Sequence, residues 1–216
     1  MKILIEVPYI DQTGQWPTGC ESVSSVMLLH YLGCDISVDD FIQRFLPTKP
    51  MTWNGGALSG PDPDCHFAGS PYDPDSFGCY PGVIVSALGK VFSDRDAAGG
   101  AFGYRAEDVT GMPVSQMVSL YIDRGMPVIF WASIDLKPTY SGPEWTVYGS
   151  GETFTWTSNE HCMLLVGYDT EADTLIFNDP WNGNGVIAYD RELVLRRHEE
   201  QGRRAVAVIC QRRNFS

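Results

Sequence analysis

Helical patterns dominate the first part of this chain and strand-forming patterns the rest. Up to about residue 124 apolar residues recur mainly at helical spacing, whereas after Gly125 β-branched and aromatic runs alternate with turn residues. That order does not suit the regular βα alternation that builds a parallel sheet. It predicts an α+β fold, with amino-terminal helices packed on a carboxy-terminal antiparallel sheet. The first helix covers 20–32, with Val23, Val26, Met27 and Tyr31 on one face, and Gly33 ends it. Ser37, followed by Asp40, caps a second helix that Pro47 stops. Further helices are expected at 82–92, 113–124 and 190–200. Strands are expected at 3–8, 127–133, 145–148, 153–157, 161–168, 174–178, 186–189 and 205–211.

Residues 47–82 fit neither pattern. They are rich in proline and glycine and carry Asp62, Asp64, Asp73 and Asp75. A disordered linker would lack the aromatics Trp53, Phe67, Tyr72, Phe77 and Tyr80, so the stretch reads as an ordered loop packed over something. With no repeat or dividing linker, the 216 residues are expected to form one domain, 1–216. The net charge of −12 argues against nucleic acid and anionic membranes as partners. The opening apolar run, Ile3 to Ile5, is too short for a signal peptide. The expected location is therefore the cytoplasm, or outside the cell if an export signal was removed upstream.

The six cysteines, at 20, 34, 65, 79, 162 and 210, include no CxxC pair. Cys34, Cys162 and Cys210 read as small buried hydrophobes. A bridge between Cys65 and Cys79 stays open, and Cys65, His66 and Cys79 match no common metal site. Neither metal nor cofactor is expected.

Cys20 differs from the others because it opens a helix. The free amides and positive dipole end there favour a thiolate, the nucleophilic form. Gln12, eight residues earlier, offers a side-chain amide suited to an oxyanion hole alongside the Cys20 amide. Of the histidines, His30 reads as a core-edge group, His66 lies in the irregular loop and His198 in a polar, exposed helix. His161 opens a buried strand, where it would be held rigidly. That strand and 174–178 read as a hairpin, which brings Asp179 back towards His161 as an orienting carboxylate. His161 follows Cys20 by 141 residues, a separation typical of papain-type peptidases.

Val7-Pro8-Tyr9-Ile10-Asp11-Gln12, Thr18-Gly19-Cys20-Glu21-Ser22, His161 to Tyr168 and Asn178-Asp179-Pro180-Trp181 resemble the cysteine peptidase family 39-like domains. These are bacterial papain-fold relatives of the bacteriocin leader peptidases of export transporters. Phe67 to Pro74 and Gly78-Cys79-Tyr80 resemble the standalone members. The likeness covers nearly the whole chain. It implies a papain-like fold, a Cys20–His161–Asp179 triad and Gln12 in the oxyanion hole. Transporter peptidases carry an acid-Cys-Gly motif where this chain has Gly19-Cys20-Glu21, which departs from double-glycine leader specificity.

The expected function is hydrolysis of a peptide or small amide through an acyl-enzyme. The same device could pass the acyl group to an amine or thiol, and a non-catalytic peptide-binding domain could keep the fold. The 47–82 loop is expected to wall the cleft, its aspartates suggesting a basic or extended peptide.

Overall fold

The computed structural model describes residues 1–97 and 102–211. A short strand, β1 (Lys2–Leu4), leads through a long loop into α1 (Cys20–Tyr31) and then α2 (Val38–Arg44). Four short strands follow: β2 (Thr48–Lys49), β3 (Thr52–Asn54), β4 (Ala57–Gly60) and β5 (Phe67–Ala68). Next come α3 (Pro81–Ala97), β6 (Tyr104–Asp108) and α4 (Val114–Leu120). The remainder is β7 (Val128–Ser133), β8 (Tyr140–Val147), β9 (Thr153–Ser158), β10 (Glu160–Asp169), β11 (Thr174–Asp179), β12 (Gly185–Asp190), α5 (Arg191–Glu200) and β13 (Ala205–Cys210).

The main sheet runs β12-β11-β10-β7-β13-β6, every pair antiparallel. β1 pairs with the end of β10 that β7 leaves free, Leu4 lying opposite Gly167. The register needs a glycine there, because a Cβ on residue 167 would lie 2.2 Å from the Ile3 carbonyl oxygen. Gly167→Ala is expected to cost about 1–3 kcal/mol of unfolding free energy, as overpacking does. Urea titration would read it, and an unchanged midpoint would show that β1 adjusts without loss.

β10 is buried over nearly its whole length. On it packs α1, itself buried from Cys20 to Leu29, a helix closed in on all sides. Its small residues let the strand approach: the Ser24 hydroxyl donates to the Cys162 carbonyl at 3.2 Å. Ser37 caps α2 as expected, accepting from the Asp40 amide at 3.0 Å.

Residues 47–82 are ordered but not irregular throughout. β3 and β4 join β8 and β9 in a four-stranded sheet, and β2 pairs with β5. This segment shows no local periodicity because much of its pairing is non-local. β4 lies parallel to β8, with Ser59 opposite Thr146. Under the small sheet lies a second core of Leu58, Ala68, Tyr80, Trp145 and Trp156. Tyr80 and Trp156 stack 5.4 Å apart with 6° between their planes. β6 is a strand the sequence pattern did not signal, and α3 runs five residues past its expected end.

Cys210 is exposed, not buried, because burial falls away at the last two residues of β13. His198 is buried, not exposed, since its face of α5 lies against the sheet. Its ring stacks on Phe130 with centroids 3.9 Å apart, and its Nδ1 lies 2.8 Å from the Trp131 carbonyl oxygen. Burial holds its pKa down to about 4, so the ring is neutral above mild acid. All six cysteines are free, Cys65 exposed and Cys79 buried. No described helix is long and apolar enough to cross a membrane.

Candidate active site

A cleft opens where the start of α1 meets the start of β10. Its lining includes Gln12, Cys20, His161 and Trp181, brought together from distant parts of the chain. Asn159, at φ 66°, makes the abrupt turn from β9 into β10 and so places Glu160 and His161 at the cleft. A small amide side chain tolerates that left-handed backbone better than most residues.

His161 Nε2 lies 2.7 Å from Asp179 Oδ1, both residues being almost fully buried. The hairpin register accounts for this. Leu164 lies opposite Asn178, so Asp179 stands near the start of β10. Asp179 is also held by three other donors. The Trp181 amide donates to Oδ1 at 3.0 Å, and the Asn184 amide and Tyr189 hydroxyl donate to Oδ2 at 2.9 and 2.7 Å. Burial pushes its pKa up, but the bond and charge of His161, with the Trp181 amide and Tyr189 hydroxyl, hold it down to about 2. Asp179 is therefore ionised across the ordinary pH range. With Nε2 committed to it, Nδ1 is the ring nitrogen left for the cleft.

Gln12 is fixed from both sides: its amide donates to the Pro180 carbonyl at 2.9 Å and its carbonyl accepts from the Trp16 amide at 3.0 Å. Its side-chain Nε2 reaches the carbonyls of Trp16 and Pro17 only at 3.4 and 3.3 Å. Bonds this long are weak and readily exchanged for a better acceptor.

Cys20 departs from the sequence expectation. Burial pushes its thiol well up, and the Glu21 and Glu160 carboxyls push it further. The first-turn amides do not outweigh these effects, so the resting group is a thiol. It donates to Glu21 Oε2 at 3.4 Å. Glu21 Oε1 accepts from the Cys79 amide at 2.6 Å. Burial raises the pKa of Glu21, and burial followed by Glu21 raises that of Glu160. One atom each of Cys20, Glu21 and Glu160 lie within 4.8 Å of one another, a set that could hold a metal ion only by occupying the thiol.

The sequence reading passed over Glu21 and Glu160, although each adjoins a candidate catalytic residue. Their signal is an acid inside an otherwise apolar buried element. The loop aspartates do not line the cleft. Asp62 and Asp73 instead close turns, accepting from the amides of Asp64 and Asp75 at 2.9 and 3.0 Å. From the 47–82 segment only Ser76 and Phe77 reach the cleft, opposite Trp156.

The mixed helix and antiparallel sheet arrangement, cut by this cleft, is papain-like, of the kind found in C39-like peptidases. The chain belongs to the Peptidase_C39 like family, which it matches over residues 4–206. Over 190 residues it is 26% identical to the uncharacterized protein YvpB of Bacillus subtilis (strain 168), covering 88% of this chain and 68% of that one. Its fold is similar to the crystal structure of a Bacillus anthracis protein provisionally described as a C39-like peptidase. The TM-score is 0.79 at 22% identity, over 97% of this chain and 98% of that one. A double glycine motif protease from an AMS/PCAT transporter, solved with its leader peptide, is far more distant. Its TM-score is 0.43 at 14% identity, covering 95% of this chain and 91% of that one.

Proposed function

We propose that the protein hydrolyses a peptide or amide bond, with Cys20 as nucleophile and His161 and Asp179 as its acid–base pair. The observation that carries this reading is the His161–Asp179 hydrogen bond, buried at 2.7 Å in a cleft that Cys20 also lines. Because Cys20 rests as a thiol, the thiolate forms during reaction. His161 Nδ1 takes the thiol proton as sulfur bonds to the carbonyl carbon. The carbonyl π electrons move to oxygen, where Gln12 Nε2 and the Cys20 amide receive the charge. Collapse breaks the C–N bond, and the proton on His161 goes to the leaving amine. Water, deprotonated by the same imidazole, then attacks the thioester and releases the acid and the thiol.

Gln12→Ala is expected to lower kcat by about 10²–10³ with little change in KM, the loss typical of one oxyanion donor. Steady-state kinetics on any cleaved peptide would measure it. A fall confined to KM would remove Gln12 from the oxyanion site.

The test of the function is digestion of a diverse peptide library between pH 5 and 9, read by mass spectrometry. New termini, each cut adding one water, support hydrolysis. Products captured by an added amine in preference to water would make the enzyme an acyltransferase. No product in either form would overturn the reading.

A further inference from the structure

Glu160 is a carboxyl without a counterpart. Only 8% of the residue is exposed, and its Oε1 has no hydrogen-bond partner. The nearby groups do not supply one. Glu21 of α1 is another acid, while Cys79, before α3, and Cys20 and Cys162 are thiols pushed up by burial first and then by the same two carboxyls. Among the described residues, the cation that acts on Glu160 is Arg204, just before β13. Arg204 is engaged elsewhere, its guanidinium 3.5 Å over the Tyr80 ring and its Nη1 donating to the Gln201 carbonyl at 2.7 Å. A buried polar atom left unpaired in this way carries a standing cost.

Oε1 itself is closed off from solvent, but the residue is not sealed in the core, since Glu160 lines the same cleft as Cys20 and His161. Beside it stand Phe77 and Trp156, edge to face at 5.7 Å, two aromatic walls suited to a cation and the apolar carbons that carry it. Gly78 keeps the space open: a Cβ there would lie 2.6 Å from Glu21 Oε1 and 3.4 Å from Glu160 Oε2.

We propose that Glu160, backed by Glu21, receives a protonated amine of the substrate close to the carbonyl that Cys20 attacks. This rests on the proposed hydrolase reading and names its substrate class. The spacing favours a short reach. A carboxyl oxygen of Glu160 lies within 4.8 Å of the Cys20 sulfur. A reacting carbonyl carbon stands roughly 3–3.5 Å from its nucleophile. An amine on the carbon next to that carbonyl then comes within hydrogen-bond reach of the acid. A free α-amino group meets this condition with the chain extended, and a lysine side chain meets it only if folded back.

The test uses the full chain carrying Cys20→Ala, so binding is read without catalysis. Calorimetry with chelator present would compare alanyl-alaninamide, its N-acetyl form, Nα-acetyl-lysinamide and the doubly acetylated lysinamide. The expected result is binding of an amine form about 10- to 100-fold tighter than its acetylated partner, the usual size for a charged hydrogen bond. The two pairs show which amine is used. Adding Glu160→Gln, which keeps the shape and removes the charge, should abolish that preference. Equal binding of free and acetylated forms, no binding of any form, or a preference that survives Glu160→Gln would each overturn the proposal. Failure of the hydrolase reading is distinct, because it shows as a wild-type protein that binds the amine and cleaves nothing.

Discussion

Cys20→Ala is expected to lower kcat by about 10⁴-fold or more on any peptide the protein cleaves. The size follows from the absence, among the described residues, of a substitute nucleophile at the cleft. Ser76 and Thr18 line it, but Thr18 Oγ1 already donates to the Ser70 and Asp73 carbonyls at 3.1 Å. Ser76 Oγ accepts from the Ser70 amide at 2.8 Å. Neither hydroxyl has a base comparable with the His161–Asp179 pair. The loss should come without unfolding. The thiol donates one long bond, to a carboxyl whose raised pKa lets it hold its own proton instead. A change in stability within about 1 kcal/mol is expected, the lower range for single substitutions. Kinetics and urea titration on the same preparation would separate the two effects. Retained cleavage in a folded Cys20→Ala protein would remove Cys20 from the chemistry.

Asp179→Asn is the second large effect. All four contacts of the carboxylate come from donors. An asparagine offers one oxygen and turns an NH2 against two of them, so it cannot hold His161 and the Asn184–Tyr189 side together. A fall of about 10²–10⁴-fold in kcat is expected, approaching the loss seen when a triad carboxylate is amidated. Stability should change as well, and with a definite sign. The folded pKa of about 2 lies below the unfolded value of 3.8. A depressed acid stabilises the fold above the unfolded pKa, and that contribution disappears as pH falls through the folded one. The difference corresponds to roughly 2 kcal/mol at pH 6. Wild type should therefore exceed Asp179→Asn by about that amount at pH 6 and by much less near pH 2. An equal gap at both pH values would show that the charge of Asp179 contributes nothing to the fold.

Much of this site was legible in the residues. Cys20 at a helix start, His161 at the mouth of a buried strand and Asp179 at the far end of a hairpin follow from local pattern and spacing. One register, Leu164 opposite Asn178, brings Asp179 to His161, and the packing of α1 on β10 brings Cys20 to the same cleft. Less legible were features that depend on distant partners. β4 is short, and beside β3 its other neighbour in the sheet is the distant β8, which no local pattern reports. Cys210 and His198 were misplaced because exposure at a strand end, or on one face of a polar helix, depends on what packs beside it.

The sequence by itself determined the α+β order, the cleft residues Gln12, Cys20 and His161 with Asp179 bonded to His161, and the family to which the chain belongs. These are local or motif-level properties, carried by periodicity and spacing. Only the tertiary structure decided the ionisation of Cys20 and the character of the cleft. Helix-end geometry favours a thiolate at Cys20, yet burial beside Glu21 and Glu160 keeps the thiol. The sequence points to the loop aspartates as the acids facing the substrate, yet the acid in the cleft is Glu160. Desolvation and the meeting of charges are properties of packing, and no spacing along the chain reports how far a carboxyl stands from water.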